Sequence, residues 1–422
     1  MTNSTHRDDC RLCGSKELDL VLPILPSAIG DDFIPAHLLN EKQDTYSLDT
    51  YLCLGCGHLQ NIDIVNPDIL FRNYTYKSSV SLGLVDYFKQ YANEVVSQLH
   101  LPTDSLVVEL GSNDGSLLKA FKEKGLRVVG VDPARNIAAA ATTAGIPTVP
   151  EFFTLQVAEN ISTHHGKANL ICANNVFAHA DNIADIVKGI RHLLTDDGVF
   201  VFEVSYVPDI IDNMVFDTIY HEHVSHHAII PLENFFNALD MTLFDAKKVK
   251  SKGGSIRGFA QPRSTGQRAK SKDLLAMIVE EERRGILQPK IYRDFFESIE
   301  KRKKATLNYV KEALAQGKKV AGFGASTTTT TLLYHFELQD KLSFIVDDNP
   351  IKQGLYSPGA HIPVLPSSAL QTEKPDLVVI LAWMYADVMI NKSQAYLEAG
   401  GEFLRPLPEV RVVNQNGMRE LK

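Results

Sequence analysis

The chain has 422 residues and a formal net charge of −8, and 44% of its residues are hydrophobic. This length predicts two to four domains, and the acidic balance argues against a surface that coats nucleic acid. Its apolar runs fall short of the roughly 20 residues that span a membrane, and its first residues lack the core of a signal peptide. We therefore expect a cytoplasmic protein in a reducing compartment, with neither nucleic acid nor membrane as a partner.

Two Cys-x-x-Cys pairs mark the first block of the chain as a metal site. Cys10 and Cys13 form one pair, and Cys53 and Cys56 form the other, with 39 residues between the pairs. Each pair aims two sulfurs at one point, so four thiolates can close a tetrahedral zinc site. A closed site leaves no position for substrate, which predicts one structural Zn²⁺. The fifth cysteine, Cys172, stands in an apolar strand and is expected in the core.

The middle of the chain alternates apolar strands with helices, as in a doubly wound sheet. Its first strand runs into Glu109-Leu-Gly-Ser-Asn-Asp-Gly115, and the next strand ends in Asp132. At the carboxyl ends of such strands, glycines let a ligand approach the backbone and an acid grips ribose hydroxyls. The turn is close to the Glu-x-Gly-x-Gly-x-Gly signature of S-adenosylmethionine-dependent methyltransferases, with Asn113 in place of the middle glycine. A further strand end carries His179, which fits a pocket or a helix start equally well.

The densest group of ionisable side chains is Tyr220-His-Glu-His223, followed at once by His226 and His227. Four of the chain's 14 histidines thus fall within seven residues. A free imidazole titrates near pH 6.5, so such a cluster suits proton transfer near neutrality. The alternative is a polar helix start or a loop that faces solvent. Within a methyltransferase-like frame, the pattern favours chemistry.

A glycine-rich segment, Ser251-Lys-Gly-Gly-Ser-Ile-Arg-Gly258, follows the histidines. Lys252, Ser255 and Arg257 suit contact with phosphate, and a β-hairpin turn with solvated charges fits the segment equally well.

The rest of the chain is predicted to be a helical connector followed by a second α/β unit. Residues 270 to 316 carry mixed-sign charge runs typical of solvated helices. From Lys318 to Leu381 the chain reads strand, glycine turn, helix, strand ending in acids, and strand. On this pattern alone, a domain with that order of elements could bind a nucleotide.

Together these motifs resemble the S-adenosylmethionine-dependent sugar C-methyltransferases of deoxysugar biosynthesis, which act on nucleotide-linked ketodeoxysugars. The resemblance covers nearly the whole chain and rests on the cysteine pairs, Tyr74-Thr-Tyr76, Glu109–Gly115, Asn175–His179, Tyr220–His223, Gly253–Arg257 and Val346–Gly354. It implies an α/β protein with a zinc-binding domain at residues 1–70, a Rossmann-like class I methyltransferase domain at 71–262, and a connector with a Rossmann-like nucleotide-sugar-binding domain at 263–422. It also fits a monomer or homodimer.

The resemblance further implies roles for individual residues. His223 is the implied base, and the implied catalytic set is His223, Glu222, Tyr220, Tyr76 and His179. The implied residues for S-adenosylmethionine are Tyr76, Ser78, Glu109, Gly111, Asn113, Asp114, Gly115, Asp132, Pro133, Asn174 and Asn175. The implied substrate-binding residues are Lys252, Ser255, Arg257, Ser326, Asp347, Lys352, Gln353 and His361.

The expected reaction is methylation of the carbon next to the ketone, at C-3′ of a nucleotide-linked 4-keto-deoxysugar. Loss of a proton to His223 gives an enolate, whose carbon attacks the sulfonium methyl. Three alternatives stay open: O- or N-methylation of a small metabolite, a nicotinamide-dependent sugar reductase, and a non-catalytic zinc-ribbon binding protein.

Overall fold

The computed structural model describes residues 3–72, 78–80 and 83–421. The N-terminal region is made of short strands, which are β1 (Ser4–His6), β2 (Leu18–Leu22), β3 (Thr50–Cys53), β4 (Leu59–Asn61) and β5 (Asp63–Val65). Strands β2, β3 and β4 form an antiparallel meander, and β1 pairs with β5. Helices α1 (Pro67–Phe71) and α2 (Leu84–Leu99) lead into the next domain.

The central domain begins with the predicted alternation of strands and helices. Its first half contains β6 (Leu106–Leu110), α3 (Ser116–Lys122), β7 (Arg127–Val131), α4 (Arg135–Thr143), β8 (Thr148–Val149), α5 (Leu155–His165), β9 (Ala168–Asn174) and α6 (Ile183–Leu193). Its second half contains β10 (Leu194–Ser205), α7 (Val207–Asp212), β11 (Ser225–His226), α8 (Ile229–Ala238), β12 (Met241–Val249) and β13 (Ser255–Pro262).

Seven strands form the central sheet in the order β12-β13-β10-β9-β6-β7-β8. The strands from β10 to β8 run parallel, and β13 is inserted antiparallel beside β10. The interior strands read as continuous apolar runs because helices cover both faces of the sheet. From β6 the connections run to β7 and β8 on one side and then to β9 and β10 on the other, so the strand order reverses between β6 and β9 and the carboxyl ends of these parallel neighbours form a crevice. The predicted Rossmann-like sheet is confirmed.

The C-terminal region is a second α/β domain. It contains α9 (Lys272–Arg284), α10 (Pro289–Ala315), β14 (Val320–Phe323), α11 (Thr327–His335), β15 (Ile345–Val346), β16 (Val364–Leu365), α12 (Ala369–Thr372), β17 (Leu377–Ile380), α13 (Ala386–Lys392), α14 (Gln394–Glu398), β18 (Glu402–Arg405), β19 (Arg411–Asn414) and β20 (Gly417–Glu420). Its sheet has the order β16-β15-β14-β17-β18-β19-β20 and is parallel from β16 to β18.

Hydrophobic clusters join the three regions. One cluster contains strand residues of the N-terminal region, the segment from 207 to 219, helix α10 and the C-terminal sheet. Two more clusters cover the faces of the central sheet. Within the described residues, no helix is both long enough and apolar enough to cross a membrane.

Candidate active site

The four cysteine sulfurs lie within 4.8 Å of one another. The Cys10 and Cys56 sulfurs are 3.6 Å apart, and so are those of Cys13 and Cys53. Tetrahedral zinc with Zn–S bonds near 2.3 Å requires sulfurs about 3.8 Å apart, so the donor set fits one zinc ion. The site is structural because all four ligands come from the protein.

Glycines in the left-handed region allow the two cysteine turns to close. Gly14 has φ +74° and donates its N–H to the Cys10 carbonyl at 2.8 Å. Gly57 has φ +78° and makes the same bond to Cys53. L-residues with a side chain rarely adopt these angles, so the positions favour glycine.

The long insertion between the cysteine pairs docks on the C-terminal domain. Ile34 exchanges two backbone hydrogen bonds with Tyr356, and the Asp31 carboxylate lies 2.7 Å from the Lys352 ammonium. In the same insertion, the Tyr46 carbonyl accepts from His221 Nε2 at 3.3 Å. The unusual spacing therefore reflects an arm that joins the zinc domain to the histidine segment and the C-terminal domain.

The turn between β6 and α3, residues 111–115, is the predicted site of the methyl donor and is called the donor turn. Its first position requires glycine. Gly111 has φ +65°, and a β-carbon there would lie 2.2 Å from the Val176 side chain, so this turn packs against the segment after β9. Asn113 also has a positive φ, of 48°. Asp132 accepts the Asn113 N–H at 2.8 Å and the Ala134 N–H at 2.9 Å. A carboxylate has further lone pairs, so a fixed Asp132 still has capacity for ribose hydroxyls.

Two buried acids shape the charge at this edge. Burial raises the pKa of Glu109 well above its usual value, with Asp132 and Asp114 adding to the effect. Burial also raises the pKa of Asp132, and its two backbone N–H bonds oppose this. The adjoining residues Pro133, Asn174 and Asn175 lie at the ends of β7 and β9, as the sequence predicted. The hydrogen-bond capacity of Asp132 at this edge therefore suits a ligand with a ribose.

A short 3-10 turn at Ser78–Val80 closes over the donor turn. The Ser78 N–H donates to Asn113 Oδ1, and the Ser79 N–H donates to Asp114 Oδ2, both at 2.9 Å. Ser78 is therefore beside the donor turn, while its predicted neighbour Tyr76 lies outside the described residues.

The imidazole of His223 is held by main chain on one side and a phenol on the other. Its Nδ1 lies 2.8 Å from the Thr218 carbonyl oxygen, which can only accept, so Nδ1 carries the proton. Its Nε2 lies 3.0 Å from the Tyr220 hydroxyl and accepts from it. Burial keeps the pKa of His223 well below its usual value, so the ring is neutral and its free lone pair is on Nε2.

His179 lies against the same ring. The His179 and His223 ring centroids are 5.0 Å apart, and Phe71 stacks on His179 at 5.5 Å. His179 Nε2 is buried and has no hydrogen-bond partner among the residues that the structure describes. Burial lowers its pKa to about 3. The structure therefore brings His179, Tyr220 and His223 together, and the solvent-facing interpretation of the Tyr220–His223 stretch is wrong.

Lys252 and Glu222 complete the charges near the two imidazoles. The charge of Lys252 contributes to the lowered pKa values of both His179 and His223. The Lys252 side chain reaches solvent yet has dense protein around it, and this desolvation lowers its pKa while Glu222 and Glu203 oppose the shift. Glu222 itself is buried.

Arg257 and Ser255 lie in the β12–β13 hairpin, away from solvent. The Arg257 guanidinium binds Glu203 at 2.6 Å and Glu94 at 2.9 Å, and it lies 4.0 Å from the centroid of the Tyr91 ring. Ser255 donates to the Ser251 carbonyl. The glycine segment is thus the turn of a hairpin, and a phosphate contact by Arg257 stays a prediction.

Changing Arg257 to glutamine is expected to lower the free energy of unfolding by about 3–5 kcal/mol, because Glu203 would stay buried without its cation. Urea unfolding measures this loss. Arg283→Gln is the matched control, since its ion pair with Glu280 is exposed, and it should change stability little. Wild-type stability together with a raised KM for a nucleotide-linked substrate would instead support the phosphate contact.

The predicted C-terminal residues converge after β14. Ser326 caps α11, and the Asp347 carboxylate accepts the Ala325 N–H at 2.6 Å. Gln353 donates to the Asp347 carbonyl at 2.9 Å. Lys352 lies there too, bound to Asp31 as described above. His361 lies in a separate turn with φ +52°. Substrate contacts by these residues stay predictions.

Burial lowers the pKa of several histidines, and this has a consequence for stability. The affected groups are His58, His179, His221, His223, His226, His227 and His335. As the pH falls below about 6.5, the unfolded chain takes up protons that the folded chain refuses. The contribution of these histidines to the free energy of unfolding is therefore largest above about pH 6.5 and decreases as the pH falls below that value.

For His221 alone, whose pKa is lowered to about 4, we expect a loss of about 1.4 kcal/mol at pH 5.5. Urea unfolding at pH 7.5 and 5.5, with zinc content measured at both, tests this. Equal unfolding free energies at the two pH values, with zinc retained, would contradict it.

Comparison with known proteins agrees with this architecture. Family models match over most of the chain: a zinc binding domain at residues 10–71, a methyltransferase domain at 86–243 and a C-methyltransferase C-terminal domain at 250–408. The C-methyltransferase NovU of Streptomyces niveus is 34% identical over 414 residues, which cover 96% of this chain and 97% of NovU.

Solved structures resemble only part of the chain. The PH0226 protein of Pyrococcus horikoshii is 14% identical with a TM-score of 0.36, covering 44% of this chain and 95% of that one. Magnesium protoporphyrin IX methyltransferase from Synechocystis, solved with bound SAH, is 13% identical with a TM-score of 0.33, covering 42% of this chain and 83% of that one.

The zinc site, the donor turn and the second α/β domain define a three-domain S-adenosylmethionine-dependent methyltransferase. More narrowly, the chain belongs to the C-methyltransferase family that the three matching models and NovU represent. Because the matching family and NovU are C-methyltransferases, the methyl group is transferred to carbon. The alternatives of an O- or N-methyltransferase, a reductase and a non-catalytic binding protein were therefore wrong.

Proposed function

We propose that this C-methyltransferase methylates the carbon next to the ketone of a nucleotide-linked 4-keto-deoxysugar, at C-3′. The observation that carries the proposal is the fixed tautomer of His223. Because the Thr218 carbonyl holds the Nδ1 proton, the Nε2 lone pair is the basic end of the ring.

The base must take a proton from carbon, and a neutral imidazole suits that task at neutral pH. The α C–H bond breaks, its proton goes to His223 Nε2, and the electron pair forms an enolate. The donor, when bound, supplies an electrophilic methyl group on a sulfonium. A C–C bond then forms to that methyl as its bond to sulfur breaks.

The enolate oxygen needs donors placed before the reaction. In the resting site the Tyr220 hydroxyl donates to His223 Nε2 at 3.0 Å. We propose that the sugar carbonyl takes over this hydroxyl, which frees Nε2 for the α proton. His179, whose Nε2 has no hydrogen-bond partner among the described residues, and the positive charge of Lys252 support the same oxygen.

The turn after β6, which we propose binds the methyl donor, is connected to His223 through Val176 and His179. The Gly111 turn contacts the segment that leads to His179, and that ring is 5.0 Å from His223. A sulfonium bound at the turn would therefore bring its methyl toward the enolate carbon, and positioning of this kind contributes much of the rate. Zinc takes no part in these steps.

A methyl-transfer assay tests the substrate class. The enzyme is incubated with ¹³C-methyl-labelled donor and a panel of nucleotide-linked 4-ketosugars, with the matching 4-hydroxy sugars as controls. NMR of the product is expected to show a methyl on C-3′ for ketosugars only. Methyl transfer to the 4-hydroxy sugars, or a new O-methyl signal, would contradict the proposal.

A further inference from the structure

Asp217 is a buried carboxylate one residue before the main-chain anchor of the proposed base. It lies in the 3-10 turn Phe216–Thr218 with 0% of its surface exposed. The carbonyl of Thr218, in the same turn, holds the Nδ1 proton of His223 at 2.8 Å. The position of this turn therefore sets which nitrogen of His223 is free.

Two side chains of the C-terminal domain donate hydrogen bonds to this turn and to the residue after it. Trp383 Nε1 donates to Asp217 Oδ2 at 2.9 Å, and both side chains are buried. The Thr331 hydroxyl donates to the Ile219 carbonyl at 2.9 Å, just after the turn. Because both ends of the Trp383–Asp217 hydrogen bond are buried, losing one partner would leave the other without a replacement from water. Asp217 therefore links the turn to the C-terminal domain through Trp383, and its carboxyl group also interacts with the Thr328 side chain of that domain.

We propose that Asp217 is a positioning residue, through which Trp383 of the C-terminal domain fixes the tautomer and the orientation of His223. Asp217 acts on the ring only through the Thr218 carbonyl. The proposal rests on the proposed function for its effect on rate, but not for its effect on the tautomer. In this proposal the C-terminal domain helps to position the general base, in addition to its predicted role in nucleotide-sugar binding.

A merely structural role for the Trp383–Asp217 bond predicts something different. Losing the bond would then lower stability, as losing other buried hydrogen bonds does, and would leave the His223 tautomer unchanged. Tyr292→Phe provides that comparison, since the buried Tyr292 hydroxyl donates to the Ile286 carbonyl at 2.7 Å, a bond that involves neither Asp217 nor Trp383.

The test compares Trp383→Phe, Asp217→Asn and Tyr292→Phe in the full-length zinc-loaded enzyme. Long-range ¹⁵N NMR on histidine-labelled protein, with His223 assigned by its loss in His223→Asn, reports which nitrogen is protonated. We expect Nδ1–H in the wild type, in Tyr292→Phe and in Asp217→Asn, whose amide oxygen still accepts from Trp383. In Trp383→Phe we expect a shift toward Nε2–H.

The rates should follow the tautomer. In Trp383→Phe we expect kcat to fall about tenfold with the KM for S-adenosylmethionine unchanged, and in Tyr292→Phe we expect no change in kcat. An unshifted tautomer in Trp383→Phe would overturn the positioning role, whatever the substrate proves to be. Inactivity of the wild type on all ketosugars would overturn the proposed function instead and leave the tautomer result to decide this inference.

Discussion

Replacing His223 by asparagine is expected to lower methyl transfer by a factor of about 10³, because a positioned general base contributes roughly 10² to 10⁴ in rate. Donor binding should stay as in the wild type, since His223 is separated from the donor turn by His179 and its neighbours. Steady-state kinetics with a ketosugar and calorimetric titration with S-adenosylmethionine measure the two quantities.

His221→Asn is the matched control for that change. His221 lies two positions away and is equally buried, but its Nε2 contacts the Tyr46 carbonyl rather than a phenol. We expect its turnover to stay within about fivefold of the wild type, because it removes no proton acceptor from the site. Near-normal turnover in His223→Asn, or an equal loss in His221→Asn, would remove His223 from the base role.

Removal of zinc should have the largest effect on stability. The four thiolates join β3 to both cysteine turns, and β11, which directly follows the His223 motif, pairs with β4 of the same sheet. Binding of structural zinc is worth on the order of 10 kcal/mol in small domains, which exceeds the stability of many proteins. We therefore expect Cys53→Ser to lose its zinc, to melt well below the wild type and to lose methyl transfer.

Cys172→Ala controls for the loss of a buried thiol. Cys172 lies in β9, outside the four-cysteine group, so this variant should keep one zinc per chain. Metal analysis and thermal melting of both variants measure the outcome. A Cys53→Ser protein that keeps wild-type stability without zinc would contradict a structural role for the metal.

Sequence patterns predicted the zinc site, the parallel central sheet and the cluster around His223. Paired cysteine spacing predicts a zinc site because ligand geometry fixes that spacing, and the four sulfurs do converge. Alternating apolar runs predict parallel strands because helices bury both faces, and the sheet from β10 to β8 is parallel. The Tyr220–His223 motif also predicted a cluster, and two of its side chains are in contact.

Contacts made by main chain or between distant segments were not predictable. Thr218 holds His223 through its carbonyl, and every residue type has one, so the sequence carries no sign of it. Asp217 and Trp383 are 166 positions apart, and each alone resembles an ordinary core residue. Arg257 beside glycines suggested phosphate, but the strand pairing of β13 with β10 places it beside Glu203. Only the folded chain shows these partners.

Exchange of the sugar's α proton with solvent tests the account most directly. The enzyme is mixed in D₂O with a nucleotide-linked 4-ketosugar and without methyl donor, and the C-3′ proton is followed by NMR. The account predicts that wild-type enzyme replaces this proton with deuterium and that His223→Asn does not, at equal donor affinity. Exchange at the same rate in both proteins would contradict deprotonation by His223. So would the absence of exchange, in wild-type enzyme with SAH filling the donor site, for a ketosugar that this enzyme methylates when S-adenosylmethionine is supplied.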